Sequence, residues 1–419
     1  TPKGFFNAGG DGANHLKVRI GYEVFDIDKF TEMFYRPGIV KLSFQGEQVS
    51  STTQLSDVKA APSIEIVDTV SATSNKEVKV TLKIMSKNGG LGQVRLYLND
   101  VAVSLDAGRG LKRVRDQQAI YKTYTIKLNL GINRLRAIAF NESNSMQSVD
   151  AIHTITADYE ENHKPSIHAL VVGINEYNNP RLRLNYAVAD AKLFKKTLEA
   201  NSRGLFDQVN VTLLTSKNQT NKDSIKREFE KLKLLNPNDL FVFYVASHGT
   251  VDDGEYFLIT SNVGSTSTRK LKQDSFSQDD IKELIANIPT TKKFIVLDTC
   301  NAGALGDTIQ VALLTRGMSE DTAVKVLSRA VGSTILSAAT SQQEAIEGYK
   351  GHGLFTHVLA EGLKGKADAD NDGFVKTTEI ANYLDDEVPE LAEEIFKRVQ
   401  YPIIAPSGNA FPITRHYDR

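Results

Sequence analysis

Five apolar runs of strand length divide the chain between residues 163 and 415: Ile167–Ile174, Val209–Leu214, Leu240–Val245, Phe294–Leu297 and Thr334–Leu336. A strand covered on both faces is apolar along its whole length, whereas one that faces water alternates. Stretches of helical period separate these runs, near 185–200, 221–235, 277–287 and 319–330. That order predicts an α/β domain with a buried, mostly parallel sheet. Ligand chemistry in such sheets collects beyond the carboxyl ends of the strands, where loops and helix starts converge.

Upstream the period changes. In residues 62–158, Val78, Val80, Leu82 and Ile84 alternate with Lys79, Thr81 and Lys83, and the same period recurs over Val94–Leu98 and Tyr124–Leu130. One apolar and one wet face on about six short strands fits a β-sandwich of immunoglobulin-like type. Gly131-Ile-Asn133 reads as a hairpin turn into Leu135–Phe140. His153 has no cysteine or acidic cluster beside it, so this zone reads as an adaptor or spacer. Residues 1–61 combine Gly9-Gly-Asp-Gly12, an aromatic run (Phe25, Phe30, Phe34, Tyr35) and a polar tail. Such a segment is expected to be a linker or the tail of an upstream domain. The text opens on Thr1, as expected of a piece or processed form of a longer protein.

Composition removes several function classes. Fifty Lys and Arg against 51 Asp and Glu leave a net charge of −1, which offers nothing in bulk to a nucleic acid or an anionic membrane. No apolar run approaches the ~18 residues of a spanning helix. The single cysteine, Cys300, excludes internal disulfides and CxxC zinc sites, and points to a reducing, cytoplasmic setting.

Two strand ends carry reactive side chains. Ala246-Ser-His248-Gly249 follows one run, and Asp298-Thr-Cys300-Asn-Ala-Gly303 follows another. A cysteine needs a neighbouring imidazole to act as a thiolate at neutral pH or to protonate a leaving amine. Parallel strands would bring both to one rim. Gly249 would let backbone approach a substrate.

With these motifs the stretch 167–365, and more loosely to 413, resembles the caspase-like cysteine peptidases, nearer to metacaspases and bacterial caspase homologues than to animal caspases. Asp298-Thr-Cys-Asn-Ala-Gly303 is close to the metacaspase Asp-x-Cys-His-Ser-Gly form, whereas animal caspases read Gln-Ala-Cys. Leu170-Val-Val-Gly-Ile174, Ala189-Asp-Ala191 and Gly351-His-Gly-Leu-Phe-Thr356, just after Ser337-Ala-Ala339, also match. The resemblance implies an α/β/α sandwich and a Cys300 nucleophile with His248 as base and acid. It further implies an oxyanion site made by the N–H groups of Gly249 and Cys300. By the same resemblance Asp190 and Asp298 match the acidic pair that binds Arg or Lys of a peptide substrate. Arg316 and Arg329 are candidate self-cleavage points, or equally surface charges. Alternatives are a catalytically silent scaffold of the same fold, and a thiol hydrolase or transpeptidase that is not a peptidase. The upstream region would serve a regulatory protein partner.

A second motif lies downstream. Asp368-Ala-Asp-Asn-Asp-Gly-Phe-Val-Lys-Thr-Thr-Glu379 fits the twelve-residue calcium loop, with carboxylates Asp368, Asp370, Asp372 and Glu379 and the backbone carbonyl of Phe374 as ligands. Helical patterns flank it, so an EF-hand-like Ca2+ site at 368–379 is expected. The competing reading is an acidic surface loop without metal.

Overall fold

The computed structural model describes residues 1–8, 10–47, 53–106, 119–162, 164–252, 255–265, 267–301, 319–338 and 345–416; the side chains of Asp11, Asp252, Cys300 and Asn301 lie outside the description. The chain divides into two compact units after Glu161.

In the first unit, β1 (Lys17–Ile20) and β2 (Glu23–Asp26) form a hairpin, followed by the short helices α1 (Thr31–Phe34) and α2 (Pro37–Phe44). Next come β3 (Ser63–Asp68), β4 (Ala72–Thr73), β5 (Glu77–Met85), β6 (Val94–Leu98), β7 (Val101–Asp106), β8 (Ala119–Lys127), β9 (Gly131–Ala139) and β10 (Ala151–Ala157). They build two sheets, β3-β5-β8 and β4-β10-β9-β6-β7. The inward residues of both close one core: Val80, Leu82 and Ile84 from one sheet, Leu96, Leu135 and Ala137 from the other. The alternation seen in the sequence is therefore the alternation between this core and water.

Two expectations are corrected here. Residues 1–61 are not a bare linker: Phe5, Ile27, Phe30, Phe34 and Ile39 share a core with Met146 of the sandwich. The segment is poor in apolar residues on average, but its few are aromatic, and each ring buries roughly 150–250 Å². Glu32 of α1 also reaches the buried Arg95 of β6 at 2.8 Å. Nor do β8 and β9 form a hairpin, because they belong to opposite sheets. Gly131 turns with φ +88°, and Asn133 donates to the carbonyls of Asn129 (2.7 Å) and Gly131 (3.0 Å). Leu128 and Leu135 are both buried in the space between the sheets, so the chain crosses that space rather than folding back.

The second unit holds β11 (Ile167–Gly173), α3 (Ala187–Asn201), β12 (Val209–Leu214), α4 (Lys222–Leu232), β13 (Leu240–Asp252) and β14 (Glu255–Leu258). It continues with α5 (Thr268–Asp274), β15 (Phe276–Ser277), α6 (Gln278–Ala286), β16 (Lys292–Asn301), α7 (Glu320–Val331), β17 (Ile335–Ser337) and α8 (Leu354–Glu361). Last come β18 (Phe374–Lys376), α9 (Thr377–Phe396), β19 (Ile403–Ala405) and β20 (Pro412–Arg415). The sheet order is β12-β11-β13-β16-β17-β19, with β14 and β15 added beyond β13. Neighbours from β12 to β17 are parallel, whereas β14, β15 and β19 run antiparallel. All five apolar runs are strands of this mostly parallel sheet.

Helix ends follow local chemistry. Asn221 caps α4 by accepting from Ser224 N–H, Ser277 and Asp280 form a capping box on α6, and Gly332 ends α7 at φ +66°. On one face of the sheet Val242, Tyr244 and Ala246 of β13 and Phe294 and Val296 of β16 pack with residues of α3, α8 and α9. β13 and β16 stay in register from Leu240↔Lys292 to Gly249↔Asn301, which carries both beyond the body of the sheet.

Candidate active site

The register pairs His248 of β13 directly with Cys300 of β16. Adjacent strands lie about 4.8 Å apart, and positions directly opposite share a face. Counting in twos from Phe294 and Val296 assigns positions 298 and 300 to the face that packs on α3 and α8. His248 is 6% exposed. Its Nε2 lies 2.9 Å from the carbonyl oxygen of Leu182. A carbonyl only accepts, so Nε2 carries the proton and Nδ1 keeps its lone pair. Nδ1 is buried and has no hydrogen-bond partner among the described residues. Tyr177 supports the imidazole: its hydroxyl accepts from His248 N–H at 3.2 Å, and its ring lies 5.4 Å away. Burial lowers the imidazole pKa, against the opposing effect of the Leu182 carbonyl. The side chain is thus a neutral, oriented base.

Beside this tip a small pocket is lined by Leu184, Asp190, Ala246, Asp298, Glu347 and Phe355, among others. Asp190, on the first turn of α3, accepts from Gly353 N–H at 3.0 Å and lies 3.1 Å from Nδ1 of His352. Asp298 accepts from the hydroxyls of Tyr244, at 3.2 Å, and Thr356. Both carboxylates are buried, and burial holds both pKa values above the ordinary carboxylate range; for Asp190 the charge of Asp298 adds to the rise. The structure thus brings together the two acidic residues expected from the sequence. Glu347, at the exposed mouth, is a third carboxylate that sequence reasoning missed. Burial and then the charge of Asp298 raise its pKa too. Nothing in its immediate sequence sets it apart from a surface glutamate; a loop that returns to α3 places it there. No lysine or arginine lines the pocket among the described residues.

Gly249 has a structural reason that the sequence did not disclose. A Cβ there would meet Tyr256 at 2.8 Å from its hydroxyl and 3.0 Å from its ring. The glycine makes room for a tyrosine that crosses the strand.

At the acidic loop, Asp368, Asp370 and Asp372 offer carboxylate oxygens within 4.8 Å of one another. That donor set suits a hard divalent cation. Contacts within the loop oppose the expected ligand set. The Lys376 ammonium lies 2.8 Å from Asp370 and 2.6 Å from Asp372, and Glu379 accepts from Lys376 N–H at 2.8 Å as a helix cap. His416 also occupies Asp368, at 2.7 Å. Phe374 enters the short strand β18, paired with Arg415. A metal would have to displace the ammonium.

Of the two arginines considered for self-cleavage, Arg316 lies outside the described residues. Arg329 is exposed on α7, and a helical backbone does not lie extended in a protease cleft. His153 is half-buried and lies 3.2 Å from the Val70 carbonyl, apart from any reactive group among the described residues. Among the described residues, no helix is long and apolar enough to cross a membrane.

The family model described as the caspase domain matches residues 166–409. No curated protein matches the chain. Among solved structures, the fibronectin(III)-like modules of Clostridium thermocellum CbhA are 16% identical over 23% of this chain and 99% of that one, with a TM-score of 0.19. The CARDB domain of a Pyrococcus furiosus protein is 16% identical over 25% and 99%, with a TM-score of 0.19. Protein YxiM from Bacillus subtilis is 12% identical over 56% and 64%, with a TM-score of 0.17. At such TM-scores these likenesses carry no weight for fold or function. The caspase-domain match covers more than half of the chain and coincides with the mostly parallel sheet whose tips bear His248 and Cys300, so the chain belongs to the caspase-domain family of cysteine peptidases.

Proposed function

We propose that the protein is a cysteine endopeptidase that cleaves after Arg or Lys, with Cys300 as nucleophile and His248 as base and acid. The observation that carries this reading is the direct register of the two residues, together with an imidazole whose Nε2 is tied to Leu182. In the proposed reaction the thiol proton passes to Nδ1 and the thiolate adds to the scissile carbonyl carbon. The oxyanion forms near the N–H groups of Gly249 and Cys300. Its collapse expels the amine, which takes the proton from the imidazolium, and leaves a thioester on Cys300. Water then attacks the thioester as Nδ1 takes its proton. The tetrahedral adduct expels the thiolate, which regains that proton, and the acid product leaves. The Leu182 carbonyl stabilises the imidazolium at both stages.

The pocket supports the choice of residue before the cut. Three carboxylates with no lysine or arginine among the described lining residues favour a guanidinium or ammonium, whose charge relieves their repulsion and whose donors fit their oxygens. Asp190 and Asp298 would hold the tip of that side chain, with Glu347 at the mouth. Arg316 is the remaining candidate for self-processing, and the upstream unit would bind a regulatory partner. The acidic loop would bind Ca2+ once Lys376 withdraws, as a structural or regulatory ion.

Fluorogenic peptides ending in Arg, Lys or Asp test the reading. Turnover of the first two, abolished by Cys300→Ala, is the expected result. Turnover of the Asp peptide alone would overturn the specificity. No turnover of any peptide by a chain that a thiol-reactive inhibitor still labels would leave the silent scaffold, and transfer of the acyl group to added amines in place of water would leave the transpeptidase.

A further inference from the structure

We infer that Tyr256, Thr299 and Glu320 form a brace behind the reacting residues that sets the position of the strand tips and through it the reactivity of Cys300. Thr299 precedes Cys300 and therefore lies on the opposite face of β16. Its hydroxyl donates to Glu320 at 2.9 Å and lies 3.1 Å from the Tyr256 hydroxyl. A hydroxyl has one proton to give, so with Thr299 donating to Glu320 the Tyr256 hydroxyl donates to Thr299.

The brace spans three strands. Tyr256 comes from β14, which pairs with β13, and β13 pairs in turn with β16. To reach Thr299 the tyrosine passes over Gly249, where a Cβ would fall 2.8 Å from the tyrosine hydroxyl and 3.1 Å from Thr299 Cβ. The residue after His248 and the residue before Cys300 are thus held by one side chain. Glu320 anchors the far end from the first turn of α7. All three side chains are buried, Thr299 completely. A hydrophobic side chain would fill the position of Glu320 without the cost of burying an acid. What the acid adds is an acceptor that orients the Thr299 proton and leaves its lone pairs for Tyr256.

The three are positioning residues, since they act through the strands and touch no reacting atom. Cys300 is the only cysteine, so alkylation by iodoacetamide reads its reactivity alone, whether or not the chain proves to be a peptidase. Thr299→Val and Tyr256→Phe are nearly isosteric and break the chain of hydrogen bonds. In the full-length chain both are expected to slow alkylation at neutral pH roughly tenfold and to move the midpoint of its pH profile upward. Thr299→Ser and Glu320→Gln keep the hydroxyl and the acceptor, and should stay near wild type. If Arg peptides are cleaved, the two breaking variants should lose kcat at constant KM, because the pocket lies on the other face. Alkylation profiles of Thr299→Val and Tyr256→Phe that match wild type, or run faster, overturn the brace. A melting temperature that falls equally in all four variants would also overturn it, since the group would then be a general support of the fold.

Discussion

Glu320→Gln makes the cost of the buried acid measurable. Burial moves the Glu320 carboxyl from an ordinary value of 4.5 to about 8; the Thr299 hydroxyl opposes this rise and Asp321 adds to it. Between those values the folded chain keeps a proton that the unfolded chain releases. A raised acid contributes its full stability below the unfolded pKa and loses it as pH rises to the folded one. Each pH unit corresponds to about 1.4 kcal/mol, so wild type should lose roughly 5 kcal/mol between pH 4.5 and pH 8 through this group. Glutamine cannot titrate. Its oxygen can still accept from Thr299, but its buried amide hydrogens lack an assured acceptor, an opposing effect of about 1–3 kcal/mol at every pH. Relative to wild type, the variant should therefore be less stable by about 1–3 kcal/mol at pH 4.5 and more stable by about 2–4 kcal/mol at pH 8. Urea unfolding of both proteins across this range, followed by tyrosine fluorescence, gives the two curves. The slope of their difference is the decisive quantity, because other titrating groups cancel. Parallel curves would refute the reasoning.

Burial, joined at Asp190 by the charge of Asp298, holds the carboxyls of Asp190 and Asp298 above their usual range, and a cation binds best to the ionised pocket. KM for an Arg-ended peptide should thus fall as pH rises from about 6 to 8, while KM for its neutral citrulline analogue stays flat; equal slopes would count against the pocket. Asp298→Asn should reduce kcat/KM for the Arg peptide at least tenfold, about 1.4 kcal/mol or more, and leave the citrulline peptide unchanged. At the acidic loop, Lys376→Met removes the ammonium that lies against Asp370 and Asp372. Calorimetry should show Ca2+ binding about tenfold or more tighter than in wild type, abolished by Asp372→Ala; identical titrations of Lys376→Met and wild type would refute the competition. Phe34→Ala empties a completely buried site in the N-terminal core and should destabilise the first unit by about 3–5 kcal/mol in urea, whereas a flexible linker would show no effect.

Much of the second unit was legible because buried parallel strands must be apolar along their length. The five runs, the four helical stretches and the shared rim of His248 and Cys300 all follow from that requirement and from strand polarity. Asp190 and Asp298 were legible only through family resemblance, since neither stands out in its own stretch of chain. Glu347 and Glu320 gave no signal. Neither belongs to a motif, and each owes its raised pKa first to burial. The aromatic run of the first segment was visible, but its low average hydrophobicity concealed a core that draws on Met146. Periodicity also misjudged the turn at Gly131: strands that fold back on each other and strands that cross to the facing sheet share the same alternation.

Local order along the chain settled which segments are strands, which are helices and which residue types end the two central strands, because period and polarity are properties of neighbours. Three-dimensional closure settled the rest: a His248 Nδ1 with no hydrogen-bond partner among the described residues, three acids gathered around one pocket, a tyrosine laid across Gly249, and a lysine standing among the loop carboxylates. Those features depend on desolvation and on contacts between distant positions, and no reading of neighbouring residues contains either.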